Sequence, residues 1–423
     1  MRHRLLAVVA VLWPVGAIAQ TQGPVVTLDA IEVVPMSPLA APDTGVAREK
    51  YPTGATTLNG ADLAAAHQAG LAQALDRRAP GVATVDVTGN PFQPEVDYRG
   101  FAASPVVGTP QGLAVYQNGA RINESWGDGV HWDLIPSVAI DRATILGANP
   151  VFGLNALGGA VVLDMKNGFT WQGFEIDARF GGRLRGQGSI QYGVKSGDWA
   201  GYFALEGIRE KGARYFSGSS VRRFYGDIGY RGDRAEIHAT LGLASNKFGA
   251  SGPAPLDLVN ANQAAVFTTP QTTRNELAQF ALTGAFDIAP TWKAKANVYY
   301  RSFNQKHVDG NITDFNSCGA ATLCDDAGAA TSIPDFLPGA QYGALDRTWT
   351  RTRAMGVSAQ VDNSDRILGH ANRLTFGFSL DRGWTHFRAD EEIGVVQTDF
   401  RVTGLGWSVM EPASGIEPVS VKA

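Results

Sequence analysis

Few residues in this chain stand at spacings that carry reaction chemistry, and those few point to binding rather than catalysis. The densest set lies between Leu113 and Met165, where the polar run RINESWGDGVHW (121–132) precedes a Gly/Asn-rich stretch, 147–159. A glycine-rich turn can cradle phosphate. Neither GxxxxGK[ST] nor a helix-opening GxGxxG is present, however, so nucleotide binding is disfavoured. His131 and Asp128 are only two ligands, too few for a metal centre, and no metal is expected. Cys318 and Cys324 are the two cysteines. They suit a disulfide in an oxidising compartment, with two free thiols as the alternative, and no histidines cluster nearby to complete a metal site. The acidic loop 309–326 lacks the offsets and closing glutamate of a calcium loop. No Ser/His/Asp or paired-carboxylate arrangement stands out, so neither an enzyme nor a cofactor is expected.

The chain has 423 residues and a formal net charge of −4, with 18% charged residues and no basic block. That balance argues against nucleic acid as a partner. No apolar run reaches the ~18 residues of a membrane-spanning helix. The N-terminus reads as an address: Arg2, His3 and Arg4, then an apolar core at 5–15, then Ala17-Ile18-Ala19 before Gln20. This pattern describes a cleaved signal peptide, residues 1–19, and its core is too short to span ~30 Å of hydrocarbon.

Residues 20–50, rich in Pro, Ala, Thr and Val, form an extended tether. Within it the alternating run Leu28, Asp29, Ala30, Ile31, Glu32, Val33, Val34 ends at Pro35. Such a segment either adds as a strand to a partner's sheet or begins the next domain. Residues 51–167 then read as one α/β unit. Helical spacing covers 61–78, and strands are expected at 82–87, 96–101, 113–117, 139–146 and 160–165, with Asn118-Gly119 as a turn.

Beyond Gly168 the texture changes to long strands of strict alternation. Ile237, Ala239, Leu241 and Leu243 alternate with Glu236, His238, Thr240 and Gly242. Trp292, Ala294, Ala296, Val298 and Tyr300 alternate with Lys293, Lys295, Asn297, Tyr299 and Arg301. A soluble sandwich alternates too. Export, strand lengths near the ~9–11 residues of a crossing, and aromatics such as Trp199, Trp292, Tyr300 and Trp384 near strand ends favour a transmembrane antiparallel β-barrel. Tight turns at Asp233, at Ala289-Pro290 and at 368–371 alternate with long loops at 245–274 and 304–346, which suits two different faces of a membrane.

In this setting Arg99-Gly100-Phe101, Val115-Tyr116-Gln117-Asn118-Gly119 and GLNALGGAV (153–161) resemble, in order and spacing, the plug motifs of TonB-dependent outer-membrane receptors. The resemblance runs along the whole chain. It implies an α+β plug (51–167) inside a transmembrane barrel (168–423), and a TonB box at Leu28–Val34. The implied partners are TonB of the TonB–ExbB–ExbD complex and outer-membrane lipid of a Gram-negative cell, with a monomer expected. The implied activity is active uptake of a scarce nutrient, most often a ferric siderophore. Haem, another metal chelate or an oligosaccharide are alternatives, and a barrel-anchored adhesin is a reading of another class. Only residues 20–27 separate the cleavage site from the box, so an extra N-terminal signalling domain is not expected.

The resemblance also places residues. Arg99 would sit near the plug apex, where a guanidinium meets anionic ligands. Asn123, Glu124 and Trp126 would lie on a second apical loop and touch ligand, and Lys293, Lys295 and Arg301 would face the lumen. In one respect the chain departs from the pattern. Ten candidate strands are legible between Phe174 and Val409, against roughly 22 in plugged transporters. Ten strands close at ~20 Å diameter, whereas a globule of this plug's size is ~35 Å across. The chain is therefore expected to be an N-terminal portion, from a truncated gene or an assembly error.

Overall fold

Two-residue hairpin turns shape the N-terminal unit. The structure, a computed structural model, describes residues 33–39, 45–65, 70–250, 252–319, 321–410 and 419–422. Residues 1–19, expected to be a signal peptide, and Leu28, Asp29, Ala30, Ile31 and Glu32 of the candidate box lie outside the described residues. Val33–Val34 (β1) pairs antiparallel with Val46–Ala47 (β2), and Val34 is fully buried. Ala55–Asn59 (β3) leads into Gly60–Ala65 (α1) and Leu71–Arg78 (α2). One helix was expected over 61–78, and two are found. Gly70 takes an extended backbone (φ −173°, ψ −179°), because glycine gives up ~1 kcal/mol in a helix interior and readily leaves it.

Val82–Val85 (β4), Glu95–Tyr98 (β5) and Phe101–Ala103 (β6) form a three-stranded sheet. The single strand expected at 96–101 is a hairpin instead. Arg99 and Gly100 both have positive φ (55° and 86°), and Tyr98 pairs with Phe101 across them. Such a turn matches the right-handed twist of its strands. Asn118-Gly119 (φ 48° and 82°) does the same between Leu113–Gln117 (β7) and Ala120–Arg121 (β8). With Ile140–Gly147 (β9) and Gly159–Met165 (β10), the main plug sheet has the order β3-β9-β10-β7-β8, with β10 parallel to β7. Leu71, Leu75, Leu113, Ile140, Ile145 and Leu163 fill its core, each at most 1% exposed.

From Gly173 the chain builds one antiparallel wall of ten strands in sequence order. These are Gly173–Gly181 (β11), Arg185–Ser196 (β12), Trp199–Glu210 (β13), Ser219–Arg231 (β14), Ala235–Gly249 (β15), Gln271–Ala289 (β16) and Trp292–Ile312 (β17). After a small three-stranded sheet (Asn316–Ser317, β18; Thr322–Cys324, β19; Ala330–Pro334, β20) come Tyr342–Asn363 (β21), Leu374–Val396 (β22) and Val402–Met410 (β23). Val419–Lys422 (β24) pairs with β22. Among the described residues β11 and β23 are not joined, so the wall is open.

Alternation sorts the wall's faces. Ile237, Leu241, Phe280, Phe286, Phe376 and Phe378 are exposed on one face, while Gln191, Arg223, Asn246, Asn275, Asn297 and Arg301 are buried on the other, against the plug. An apolar face turned outward is what a bilayer requires of a barrel strand. Trp199 packs at a tilt against Tyr230 (ring centroids 5.2 Å apart) at the short-turn end. The long loops are shorter than expected, because β15 runs to Gly249, β16 starts at Gln271, β17 runs to Ile312 and β21 starts at Tyr342. Apolar alternation fades there, yet the ladder continues: Asn246 pairs with Asn275, and both are held from inside by the plug.

Candidate functional site

Plug residues 118–135 carry most of the polar contact with the wall. The segment starts in the turn of the β7–β8 hairpin and then folds back on itself, with Glu124 N donating to Gly129 O at 2.9 Å. Asn123 holds this fold together. Its Oδ1 accepts from Val115 N (2.8 Å), and its Nδ2 donates to Leu113 O (3.0 Å) and Asp128 O (3.1 Å). Arg121 pairs with Asp128 at 2.7 Å, and Asn155 of the GLNALGGAV motif donates to the same carboxylate.

Glu124 reaches outward to the wall. Arg301 on β17 meets it at 2.7 Å, both side chains 5% exposed, and Arg301 also donates to Gln279 Oε1 at 2.8 Å. Burial pushes the Glu124 carboxyl up, and Arg301 opposes that. Glu124 Oε2 has no hydrogen-bond partner among the described residues. Trp126 packs on Phe387 of β22 with ring centroids 4.5 Å apart. His131 stacks on Phe303 (4.4 Å), and burial with the nearby Arg301 charge pushes its imidazole down to about 3, so it is neutral. His131 and Asp128 thus turn to different neighbours. The described residues contain no group of three His, Cys, Asp or Glu side chains that could hold a metal ion.

Asp133 is the residue that sequence reasoning missed. It is 1% exposed and accepts from Asn246 Nδ2 (2.8 Å) and from Asn275 Nδ2 (3.1 and 3.2 Å). Arg223 Nη1 donates to Ile135 O at 2.6 Å and pairs with Glu206 at 3.2 Å. Lower on the wall, Asn118 takes a hydrogen bond from Asn297 and gives one to Tyr225, while Asn90 donates to Ser219 and Gly249 near the long-loop end. The available signal was a pair of asparagines, Asn246 and Asn275, at inward positions of otherwise ordinary strands.

A cavity of about 380 Å³ lies between the Arg121–Asp128 loop and the wall. Gln111, Asn123, Glu124, Asn155, Tyr299 and Asp381 are among its lining residues. Arg99 is absent from the lining. It is exposed in its hairpin, with Nη1 donating to Thr53 O at 3.0 Å and the guanidinium 4.9 Å above the Tyr98 ring. Of the four sequence-selected residues, then, the cavity brings Asn123 and Glu124 together, while Trp126 packs beside it and Arg99 lies elsewhere. In the loop above β17, Cys318 and Cys324 are joined by a disulfide.

An α+β plug, held by buried polar groups to the inner face of a wall whose outer face is apolar, defines a plugged β-barrel architecture. Residues 47–160 match the TonB-dependent Receptor Plug Domain family, and the chain has the plug-and-wall fold of TonB-dependent receptors. Among solved structures it is similar to the unliganded ferric citrate transporter FecA, at 11% identity and TM-score 0.65 over 92% of this chain and 54% of that one. It is also similar to BauA, the ferric preacinetobactin receptor of Acinetobacter baumannii, at 12% identity and TM-score 0.58 over 92% and 55%. The pyoverdine outer membrane receptor FpvA of Pseudomonas aeruginosa gives 12% identity and TM-score 0.60 over 89% and 53%. No curated protein matches the chain. The chain spans about half the length of the solved structures it matches. No described helix is long and apolar enough to cross a membrane, which says nothing about crossing by strands.

Proposed function

We propose that the chain serves TonB-coupled uptake of an iron chelate across the outer membrane, with residues 51–167 as the gate and the wall as part of the pore. The observation that carries this reading is the seating of the plug. Glu124–Arg301 and Asp133–Asn246/Asn275 fix a plug to the inner face of strands whose outer face is apolar. A surface anchor has no use for an obstruction in its lumen, and a passive pore is blocked by one. The relatives named above are receptors or transporters of ferric citrate, ferric preacinetobactin and pyoverdine, which supports an iron chelate as cargo.

In this reading TonB adds as a strand to Leu28–Val34, and pulling on that segment rearranges the gate. Ligand meets the plug from the long-loop side, with Arg99, Asn123, Glu124 and Trp126 as candidate contacts. The test is Ile31→Pro in iron-starved cells. Proline removes a strand donor, so chelate uptake stops while surface binding of the same chelate persists. Unchanged uptake would remove the box assignment. A panel of ferric siderophores, haem and oligosaccharides, run under starved and replete iron, identifies the cargo.

A further inference from the structure

Among the described residues, one carboxylate of the plug–wall cavity has no cation beside it. Tyr299 on β17, Gly356 on β21 and Asp381 on β22 stand directly opposite one another in a single cross-strand row. Glycine at the centre of that row lets the outer two side chains meet. A Cβ at 356 would collide with both the Asp381 carboxylate and the Tyr299 ring. In the space it leaves, Tyr299 Oη donates to Asp381 Oδ1 at 2.5 Å. Asp381 makes no other side-chain hydrogen bond and no ion pair among the described residues.

The cations near the cavity are engaged elsewhere. Arg121 is held by Asp128 and Arg301 by Glu124, each at 2.7 Å, and the exposed Arg382 lies over the Trp384 ring, 4.8 Å from its centroid. Glu124 lines the cavity at 5% exposure, and its Oε2 is buried without a hydrogen-bond partner among the described residues. Buried polar atoms in folded proteins are nearly always paired, so this oxygen calls for a donor. Arg121 Nε, buried and also without a partner, can donate to an oxygen of the same bound molecule.

The approach to the cavity carries the same sign. Asp309, Asp346 and Glu391 form a second cross-strand row, ten residues nearer the long loops on the same three strands. An even separation keeps them on the face that meets the plug. Asp309 Oδ1 is buried without a partner among the described residues. At the inward positions between the two rows, the bases are Arg301 and His307. Directly opposed like charges repel, and a passage lined by one sign concentrates the opposite sign.

We infer that the cargo carries a primary ammonium group, which this cavity takes between Asp381, Glu124 and Tyr299. The inference deepens the uptake reading proposed above and rests on it. An ammonium has three donors and no acceptor, matching the Asp381 carboxylate, Glu124 Oε2 and the open lone pair of the Tyr299 hydroxyl. At about 380 Å³ the cavity is at the small end of ligand sites, and it holds one arm of a chelate rather than its iron centre. A polycarboxylate chelate is repelled by the same charges.

The test measures equilibrium dialysis of radioactive-iron chelates against the full chain in detergent micelles. The probes are ferric trihydroxamate and ferric tricatecholate chelates, each with a free primary amine or with that amine acetylated, and ferric citrate. A hydrogen bond to a charged group contributes about tenfold to a hundredfold in affinity, so a free-amine form binds more tightly than its acetylated twin by that factor. Asp381→Asn and Gly356→Ala each remove the difference within the pair. Equal affinity of wild type for both members of each pair, or an undiminished difference in Asp381→Asn, overturns the inference and leaves the uptake reading intact. Binding of ferric citrate alone overturns it in favour of an anionic cargo. Binding of none of the chelates overturns the uptake reading and this inference together.

Discussion

Replacing Arg301 by methionine isolates the charge that pins the plug. In the native structure Glu124 and Arg301 are each 5% exposed and 2.7 Å apart, so solvent screening is slight. Arg301→Met leaves Glu124 buried with no cation beside it, and breaking such a pair costs ~3–5 kcal/mol. Protonation sets a ceiling on that cost. Neutralising a carboxyl of ordinary pKa ~4.3 at pH 7 takes 1.36 kcal/mol per unit, or ~3.7 kcal/mol. Burial already pushes this carboxyl up, and the variant removes the group that opposes the push. The folded-state pKa is thus raised above the unfolded value. Stability that the neutral acid retains is fully present below pH ~4.3 and is lost as pH rises through the raised folded-state pKa.

The plug of R301M is therefore destabilised by ~3–4 kcal/mol at pH 7, and the deficit shrinks by ~1.4 kcal/mol per unit of acidification towards pH ~4.3. Pulse proteolysis of the plug across a urea series, repeated from pH 4.5 to 7.5, reads both quantities. Glu124→Gln leaves the buried Arg301 guanidinium without its counter-charge, and arginine cannot shed its proton, so its deficit is of similar size but flat with pH. A plug-release midpoint in R301M that matches wild type, or one without pH dependence, would refute the assignment of Glu124–Arg301 as the pin.

Two further outcomes follow from the packing. Asp133→Ala leaves the amides of Asn246 and Asn275 without their shared acceptor, costing ~1–3 kcal/mol for each unsatisfied buried group. Trypsin then cuts the plug at lower urea while the wall stays folded, and equal protection would count against this contact. Gly159→Ala drives a Cβ into the Leu146 carbonyl, at a backbone φ of +154°. That change costs ~3 kcal/mol or more through strain and separation of β9 from β10, read as loss of folded plug, and wild-type stability would refute the close approach.

The readings that held rest on local signals. A period of two along β15, β16 and β17 needs only neighbouring residues to say which face is apolar, and the tight turns after β14 and β16 stand where Asp233 and Ala289-Pro290 mark them. Asn118-Gly119 is a turn because those two residues tolerate positive φ wherever they occur. Periodicity failed at Gly70 and at Arg99-Gly100, where one backbone choice interrupts an apolar pattern without changing its spacing.

What the sequence alone determined was therefore the kind of element and its two faces: plug strands, a wall of ten strands, and the outward apolar side. Only the tertiary structure decided which polar residues meet. Asp133 and Asn246 are 113 residues apart, Glu124 and Arg301 177, and Asn118 and Asn297 179. At such separations no local periodicity links one partner to the other. Each side chain looks like any solvated polar group until the plug is seated against the wall. Burial then removes water from both partners, and each is left to satisfy the other.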